Sequence, residues 1–413
     1  MKIAVISDLH IGPQAKAQDL CPEECIKRKD DYAALSSGFV SAFRDFIGDN
    51  KLTADYLLVC GDVTAAAHPM EIKLASSFLC QVREKLAVPN GHLVFVPGNH
   101  DADWTVYDPT DKTGIKWAQR YMAFQSEKFI FRDINSNQNS YGDLFSANYF
   151  KIWPFKDLVV LGYNSASTDN RDVSPHCGEI VQNHLSAIRD QFNAVFNEND
   201  DPRLKICIVH HHLRNIPLPK PNNRDYSIAI NGESLISLLR DLKFDFIIHG
   251  HRHHSYFDAL HNPIPILAAG SLSALLGTEM TELTSNQFHM IDIERDGRGN
   301  AVGMVKSWSH KAGLWLPSEE NSETKCLGHV RSFGYSLSEP DVCARVLDAF
   351  VEIMSGKPSC FKWNDSIVTL CPEARHIVEN QEMIAKWCNN NVATKFNVEV
   401  MSLRNGDIAF LVK

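Results

Sequence analysis

The strongest constraint in this chain is a repeated pairing, in which a short, continuously apolar run leads at once to a side chain that can bind a metal. The run 3–6 leads to Ser7-Asp8, 56–59 to Cys60-Gly61-Asp62, 93–96 to Pro97-Gly98-Asn99, 206–209 to His210, and 244–248 to His249-Gly250-His251. Unbroken apolar character marks a strand covered on both faces. A further run at 158–161 and helix-period segments at 32–47, 70–86, 180–196 and 233–242 alternate with these strands, which predicts an α/β core. In such sheets ligands bind beyond the carboxyl ends of the strands. Asp8, Asp62, Asn99, His210 and His251 are therefore expected on one rim.

Spacing adds two more donors. In extended backbone, residues two apart point to the same side, so Asp8 with His10, and His251 with His253, are expected to reach an ion together, with Arg252 directed away. Asp62 adds a carboxylate, Asn99 a carbonyl oxygen and His210 an imidazole. This donor count suits two metals, and oxygen and nitrogen donors without thiolate favour Mn, Fe or Zn. Two ions sharing Asp62 and a hydroxide would activate that water and neutralise a phosphoryl group attacked in line. His100 is expected to be the catalytic group, bonding the phosphoryl group or protonating the leaving oxygen. Asp101 is expected behind it, orienting the loop or a histidine. A lone Asp or His at a strand end is more often a cap than a ligand; the full set, in order, is what outweighs that.

Asp8-Leu9-His10, Gly61-Asp62, Gly98-Asn99-His100-Asp101, His210-His211 and Gly250-His251-Arg252-His253 together resemble the motifs of the calcineurin-like metallophosphoesterase superfamily, over roughly residues 1–310. The resemblance implies a four-layer αββα sandwich holding two divalent or mixed-valence ions. One ion would take Asp8, His10, Asp62 and His253, the other Asp62, Asn99, His210 and His251. Protein phosphatases of this superfamily carry Asp-Arg where this chain has Ala65-Ala66, and Glu where it has Asp101. Gly61-Asp62-Val63-Thr64 and His210-His211-His212 look more like the class III cyclic-nucleotide phosphodiesterases. The substrate expected first is thus a small phosphodiester such as a 3',5'-cyclic nucleotide. A DNA or RNA nuclease with a C-terminal cap and an inactive metal-binding interaction module are the alternatives.

Other residues are weaker candidates. One of His211 and His212 is expected to face substrate, to pack inside or to lie exposed on the surface, and His249 to lie behind the ligands or in the core. His68, His176, His184 and His289 are expected to be structural or solvent-facing. The segment 103–157 is rich in aromatics and could form a lid. Within it, helix-spaced Trp117, Tyr121 and Phe124 read as core, whereas Trp104 and Tyr107 lie near enough to His100 to reach the substrate rim.

A net charge of −9 argues against sequence-independent duplex binding, which uses a basic footprint. Nucleic acid is not the favoured partner. The first residues hold no apolar leader core, and no run approaches the ~20 apolar residues of a membrane helix. Eleven cysteines without CxxC pairs suit free thiols in a cytoplasm, Cys21 and Cys25 included. The acidic stretch at 317–323 divides a catalytic domain, 1–316, from a smaller α+β domain, 317–413. In the latter, helices at 342–354 and 372–389 and a hairpin around Asn405-Gly406 are expected. Self-association is a role open to that domain.

Overall fold

The computed structural model describes residues 1–26, 33, 35–106, 119–121, 124, 141–143, 149–169, 177–196, 201–215, 228–259, 264–320, 327–404 and 406–413. The chain forms two compact units. The first holds Met1–Phe257, Ile264–Asp292 and Lys306–His329; the second holds Asp258–Pro263, Ile293–Val305 and Val330–Lys413.

The strands follow the apolar runs: β1 (Lys2–Ile6), β2 (Tyr56–Val59), β3 (Leu93–Phe95), β4 (Tyr141–Asp143), β5 (Phe150–Pro154), β6 (Leu158–Tyr163), β7 (Leu204–Val209) and β8 (Phe246–His249). They continue with β9 (Tyr256–Asp258), β10 (Ile266–Ala268), β11 (Asn286–Arg295), β12 (Ala301–Lys311) and β13 (Leu314–Pro317). One sheet has the order β13-β12-β11-β1-β2-β3 and the other β4-β5-β6-β7-β8-β10-β9. In the first, β1, β2 and β3 are parallel, with Ile3 opposite Tyr56 and Leu57 opposite Leu93. In the second, β6, β7, β8 and β10 are parallel. The parallel strands all point their carboxyl ends the same way within each sheet, and that is what gathers the polar residues.

Helices cover the outer faces. On the first sheet lie α1 (Phe39–Asp49) and α2 (Pro69–Lys85), with Phe43 5.2 Å from Phe288 and 6.3 Å from Phe78, ring centre to ring centre. Helix α1 begins later than the periodicity at 32–47 implies, because Gly38 turns left-handed (φ 79°) just before Phe39; Tyr32 and Ala34 lie outside the described residues. On the second sheet, α3 (Gln182–Val195) and α4 (Gly232–Asp241) bury Ile188, Phe192, Leu235 and Leu239 against Phe150, Leu161, Val209 and Ile247. The sheets meet face to face: an added Cβ at Gly162 on β6 would lie 2.8 Å from Val96, just past β3. Helix, sheet, sheet, helix is the four-layer sandwich expected.

The second unit has its own core. Helix α5 (Pro340–Ser355) and α6 (Gln381–Cys388) accompany β14 (Val330–Phe333) and an antiparallel sheet in the order β15-β17-β16, from β15 (Cys360–Lys362), β16 (Val398–Ser402) and β17 (Ile408–Val412). Val346, Phe350, Phe361, Cys388 and Phe410 are buried together there, each large side chain contributing roughly 1.5–3 kcal/mol. The segment 372–389 is not one helix: a single tight turn over Pro372–His376 ends in extended Ile377, and Asn380 then caps α6 through Met383 N–H at 2.9 Å. Ser402 opposite Ile408 closes a hairpin over Gly406 (φ 84°); Asn405 lies outside the described residues. No helix among the described residues is long and apolar enough to cross a membrane.

Candidate metal centre

Each donor sits in the first residues beyond a strand, and the loops that carry them are laced together. Asp8 N–H donates to Gly61 O at 3.0 Å and His10 N–H to Asp62 O at 2.9 Å, so the ladder between β1 and β2 continues into the loops. The pairs Asp8/His10 and His251/His253 are not extended, as the spacing argument assumed. Asp8 (φ 51°), His10 (49°), Asp62 (49°), His251 (78°) and His253 (55°) are all left-handed, a conformation that costs non-glycine residues of order 1–3 kcal/mol and gathers at functional sites. Alternating left-handed residues turn each loop so that its donors face inward.

Glycine makes the close approach possible at two points. A Cβ on Gly98 would overlap Asp62 Oδ1, and one on Gly250 would overlap Ser7 Oγ and lie 2.5 Å from Asp8 Oδ2. With hydrogen there instead, His100 N–H reaches Asp62 Oδ1 at 2.8 Å, and His251 N–H reaches both Asp8 oxygens at 3.1 Å.

The donors fall into overlapping groups. Asp8, His10 and His253 offer atoms all within 4.8 Å of one another; so do Asp62, His210 and His251, and so do His10, Asp62 and His100. His251 and His253 thus diverge, each joining a different group. His10 Nε2 lies 2.9 Å from His253 Nε2, and His210 Nε2 lies 3.2 Å from His251 Nδ1. Asp62 Oδ2 is 3.1 Å from His210 Nε2 and 3.6 Å from His10 Nε2, which sets it between the groups. Such separations match neighbouring ligands on one ion, since metal–nitrogen bonds of ~2.0–2.1 Å at right to tetrahedral angles put donors roughly 2.9–3.4 Å apart. Asn99 Oδ1 is buried without a hydrogen-bond partner, as an oxygen reserved for a cation would be.

For two of the rings, a hydrogen bond on the far side fixes the lone pair. His210 Nδ1–H donates to Cys60 O at 2.8 Å, and His10 Nδ1–H to Gln14 Oε1 at 2.9 Å. This leaves Nε2 to the site, the arrangement usual for metal-binding histidine. Burial drives His10 down to about 3 and His251 well below its ordinary value, so both imidazoles are neutral, the form a metal ligand takes. Burial alone would raise Asp62, yet His210 and His100 beside it hold it well below the carboxylate range. Burial likewise opposes charge on His210, but the Asp62 carboxylate outweighs it and lifts the ring to about 9.

His100 lies beside His10 and Asp62, its ring centre 4.7 Å from that of His10, and its Nδ1–H donates to Ala65 O at 2.9 Å. Asp101 is fully buried. It accepts from Thr64 N–H and Thr64 Oγ1 at 2.9 Å, from Gly98 N–H at 2.9 Å and from Val63 N–H at 3.3 Å, stapling the β2 loop to the β3 loop. Burial, with the Asp62 charge nearby, pushes it up to about 7. Trp104 Nε1–H donates to Asn99 O at 2.9 Å, and its ring lies 6.2 Å from His100. Tyr107 lies outside the described residues, as do Trp117, His176 and most of the stretch 107–148. Tyr121 and Phe124 are core.

His211 and His212 are both buried. His211 Nδ1 bonds Ser165 Oγ at 2.8 Å and its ring lies 4.3 Å from His251, while His212 Nε2–H donates to Gly250 O at 2.9 Å beneath the turn. His249 stacks on His212 at 4.2 Å. His68 caps α2, His184 bonds Tyr163, and His289 is buried. Sequence reasoning missed Ser271 and Ser273, whose hydroxyls donate to Asp8 O at 2.7 Å and Leu9 O at 2.8 Å. Serines in a loop after a strand carry no distinguishing spacing. It also missed Glu71, whose signal was the capping sequence His68-Pro69-Met70-Glu71.

The chain belongs to the calcineurin-like phosphoesterase family, whose model matches residues 1–255. This is a family of hydrolases that binds two divalent metals, and the clusters above supply candidate ligands for them. Among curated proteins no sequence match was found. Similar solved structures include a dimetal phosphatase from Danio rerio, 13% identical, with TM-score 0.44, covering 74% of this chain and 95% of that one. Vps29 from Chaetomium thermophilum is 9% identical, with TM-score 0.33, covering 81% and 96%. GAP50, the anchor in the inner membrane complex of Plasmodium, is 13% identical, with TM-score 0.38, covering 76% and 85%.

Proposed function

We propose that this chain hydrolyses a phosphodiester of a small molecule, with a 3',5'-cyclic nucleotide as the first candidate. The observation that carries this reading is the pair of donor clusters sharing Asp62, one with His10 and His100 and the other with His210 and His251. In this reading Asp8, His10, Asp62 and His253 hold one ion, and Asp62, Asn99, His210 and His251 the other. When bound, two divalent ions such as Mn, Fe or Zn supply a nucleophile from water at neutral pH and offset charge on the phosphoryl oxygens.

The rest falls to the protein's own side chains. With Nδ1–H committed to Ala65 O, His100 presents Nε2 as the atom that bonds the phosphoryl group and passes a proton to the departing oxygen. Asp101 keeps the loops bearing Asp62 and His100 in register. The absence of an Asp-Arg pair at Ala65-Ala66 favours a phosphodiester over a phosphoprotein. A reducing cytoplasm suits the ten described cysteines, all free thiols.

The test is a Mn-supplemented panel of bis-p-nitrophenyl phosphate, cyclic AMP, a dinucleotide and single-stranded DNA, on wild type and His100→Ala. Turnover of cyclic AMP that falls in His100→Ala is the expected result. Preferred cleavage of DNA would make it a nuclease, and metal binding with no turnover an interaction module.

A further inference from the structure

Glu71, in the first turn of α2, is buried to 1% exposure and belongs to neither donor cluster. Its capping role is plain: Oε2 accepts from His68 N–H at 3.3 Å. The carboxylate does more than cap. Oε2 also accepts from Ala66 N–H at 2.9 Å, and Oε1 lies against Gly12, where a Cβ would collide with it. Gly12 follows His10 in the β1 loop, and Ala66 follows Ala65 in the β2 loop. One side chain therefore touches both loops that bring donors from the first sheet. The Ala65 carbonyl, the other end of that same peptide unit, is the acceptor for His100 Nδ1–H, so the peptide that orients His100 is the one Glu71 holds.

We propose that Glu71 is a positioning residue for His100. It pins residues 65–68 against Gly12 and so fixes the Ala65 carbonyl that aims the His100 ring. This rests on the reading of His100 as the proton donor to the leaving oxygen. A rigid acceptor on Nδ1 keeps the proton there and leaves Nε2 as the atom that exchanges with substrate. If the segment 65–68 relaxes, the ring loses its fixed tautomer and its aim.

The experiment uses the full chain loaded with zinc, in wild type, Glu71→Gln and Glu71→Ala. Ring nitrogen NMR of labelled histidine, with His100→Asn to assign the signal, reads the tautomer without reference to activity. In wild type the proton is expected on Nδ1, held by the Ala65 carbonyl. In Glu71→Ala the two nitrogens average, and Glu71→Gln, which keeps an acceptor for Ala66 N–H, lies between and serves if the alanine variant does not fold.

Turnover gives the second readout. Glu71→Ala is expected to lower kcat about tenfold for cyclic AMP, whose alkoxide needs a proton, and far less for bis-p-nitrophenyl phosphate. In a His100→Ala background it should add nothing. A lowered melting temperature with the His100 signals and the leaving-group dependence unchanged would reduce Glu71 to a helix cap and overturn the proposal. If wild type turns over neither ester while the His100 signals still respond to Glu71, the positioning link stands and the hydrolytic reading fails.

Discussion

At the rim of the first unit, Asp8, Asp62, Asn99 and His210 are buried although polar, and five of the seven donors adopt left-handed backbone. In the second unit, Val346, Phe350, Cys388 and Phe410 are buried and apolar, all within regular helices and strands. The first arrangement costs stability, because buried carboxylates and strained residues are unfavourable unless something compensates them. Here compensation comes from loop-to-loop hydrogen bonds such as those of Asp101 to Thr64 and Gly98. The second arrangement follows ordinary packing and contributes through burial alone. Left-handed backbone combined with buried carboxylates and imidazoles marks the rim, whereas the left-handed Lys357 and Asn397 of the second unit are exposed, and a substitution in its apolar core should change stability only.

His100→Ala tests the rim side most severely. It should lower kcat roughly 10²–10⁴-fold, measured on any diester the enzyme accepts, while urea unfolding stays nearly unchanged. A comparable loss of stability would erase the distinction between the regions. Phe350→Ala tests the other side. Removing a fully buried ring should cost about 3–5 kcal/mol of stability in the second unit, read by denaturant unfolding, with metal content as in wild type. Metal loss at temperatures where the variant remains folded would break the contrast.

Two smaller effects sharpen it. Asp101→Asn puts an amide where Gly98 and Thr64 N–H groups need an acceptor, and should weaken metal affinity about 10–100-fold, measured by competition with a chelator. Behind the rim, His289 accepts from Gly270 N–H at 3.2 Å and bonds Ser307 Oγ at 2.8 Å, and burial pushes it down to about 3. Between that value and the ordinary 6.5 only the unfolded chain binds the proton, so stability rises with pH across this window. Going from pH 7 to pH 5 should cost the metal-free wild type about 2 kcal/mol more than His289→Gln. Equal acid sensitivity in the two proteins would remove His289 from the account.

Much of the rim was legible because it combines two independent signals. Asp8, Asp62, Asn99, His210 and His251 each follow an apolar run long enough to be a buried strand, and each is a residue type that metals prefer. The left-handed backbone was not legible, since φ at Asp8 or His253 is set by loops from the opposite sheet that local spacing does not encode. Nor was Ala65 as the partner of His100, because its contribution is a carbonyl oxygen that every residue has. The break within 372–389 had a local cause, the Asn380 cap, which helical periodicity on either side concealed. Likewise the left-handed Gly38 sets the start of α1 at Phe39, which helical periodicity does not encode.

The central claim is that Asp62 joins two cation sites while His100 serves the substrate. Metal analysis of the full-length protein reconstituted with Mn tests this directly. About two ions per chain are expected in wild type, close to none in Asp62→Ala, and still about two in His100→Ala. A single ion in wild type, or equal loss of metal from the two variants, would contradict it.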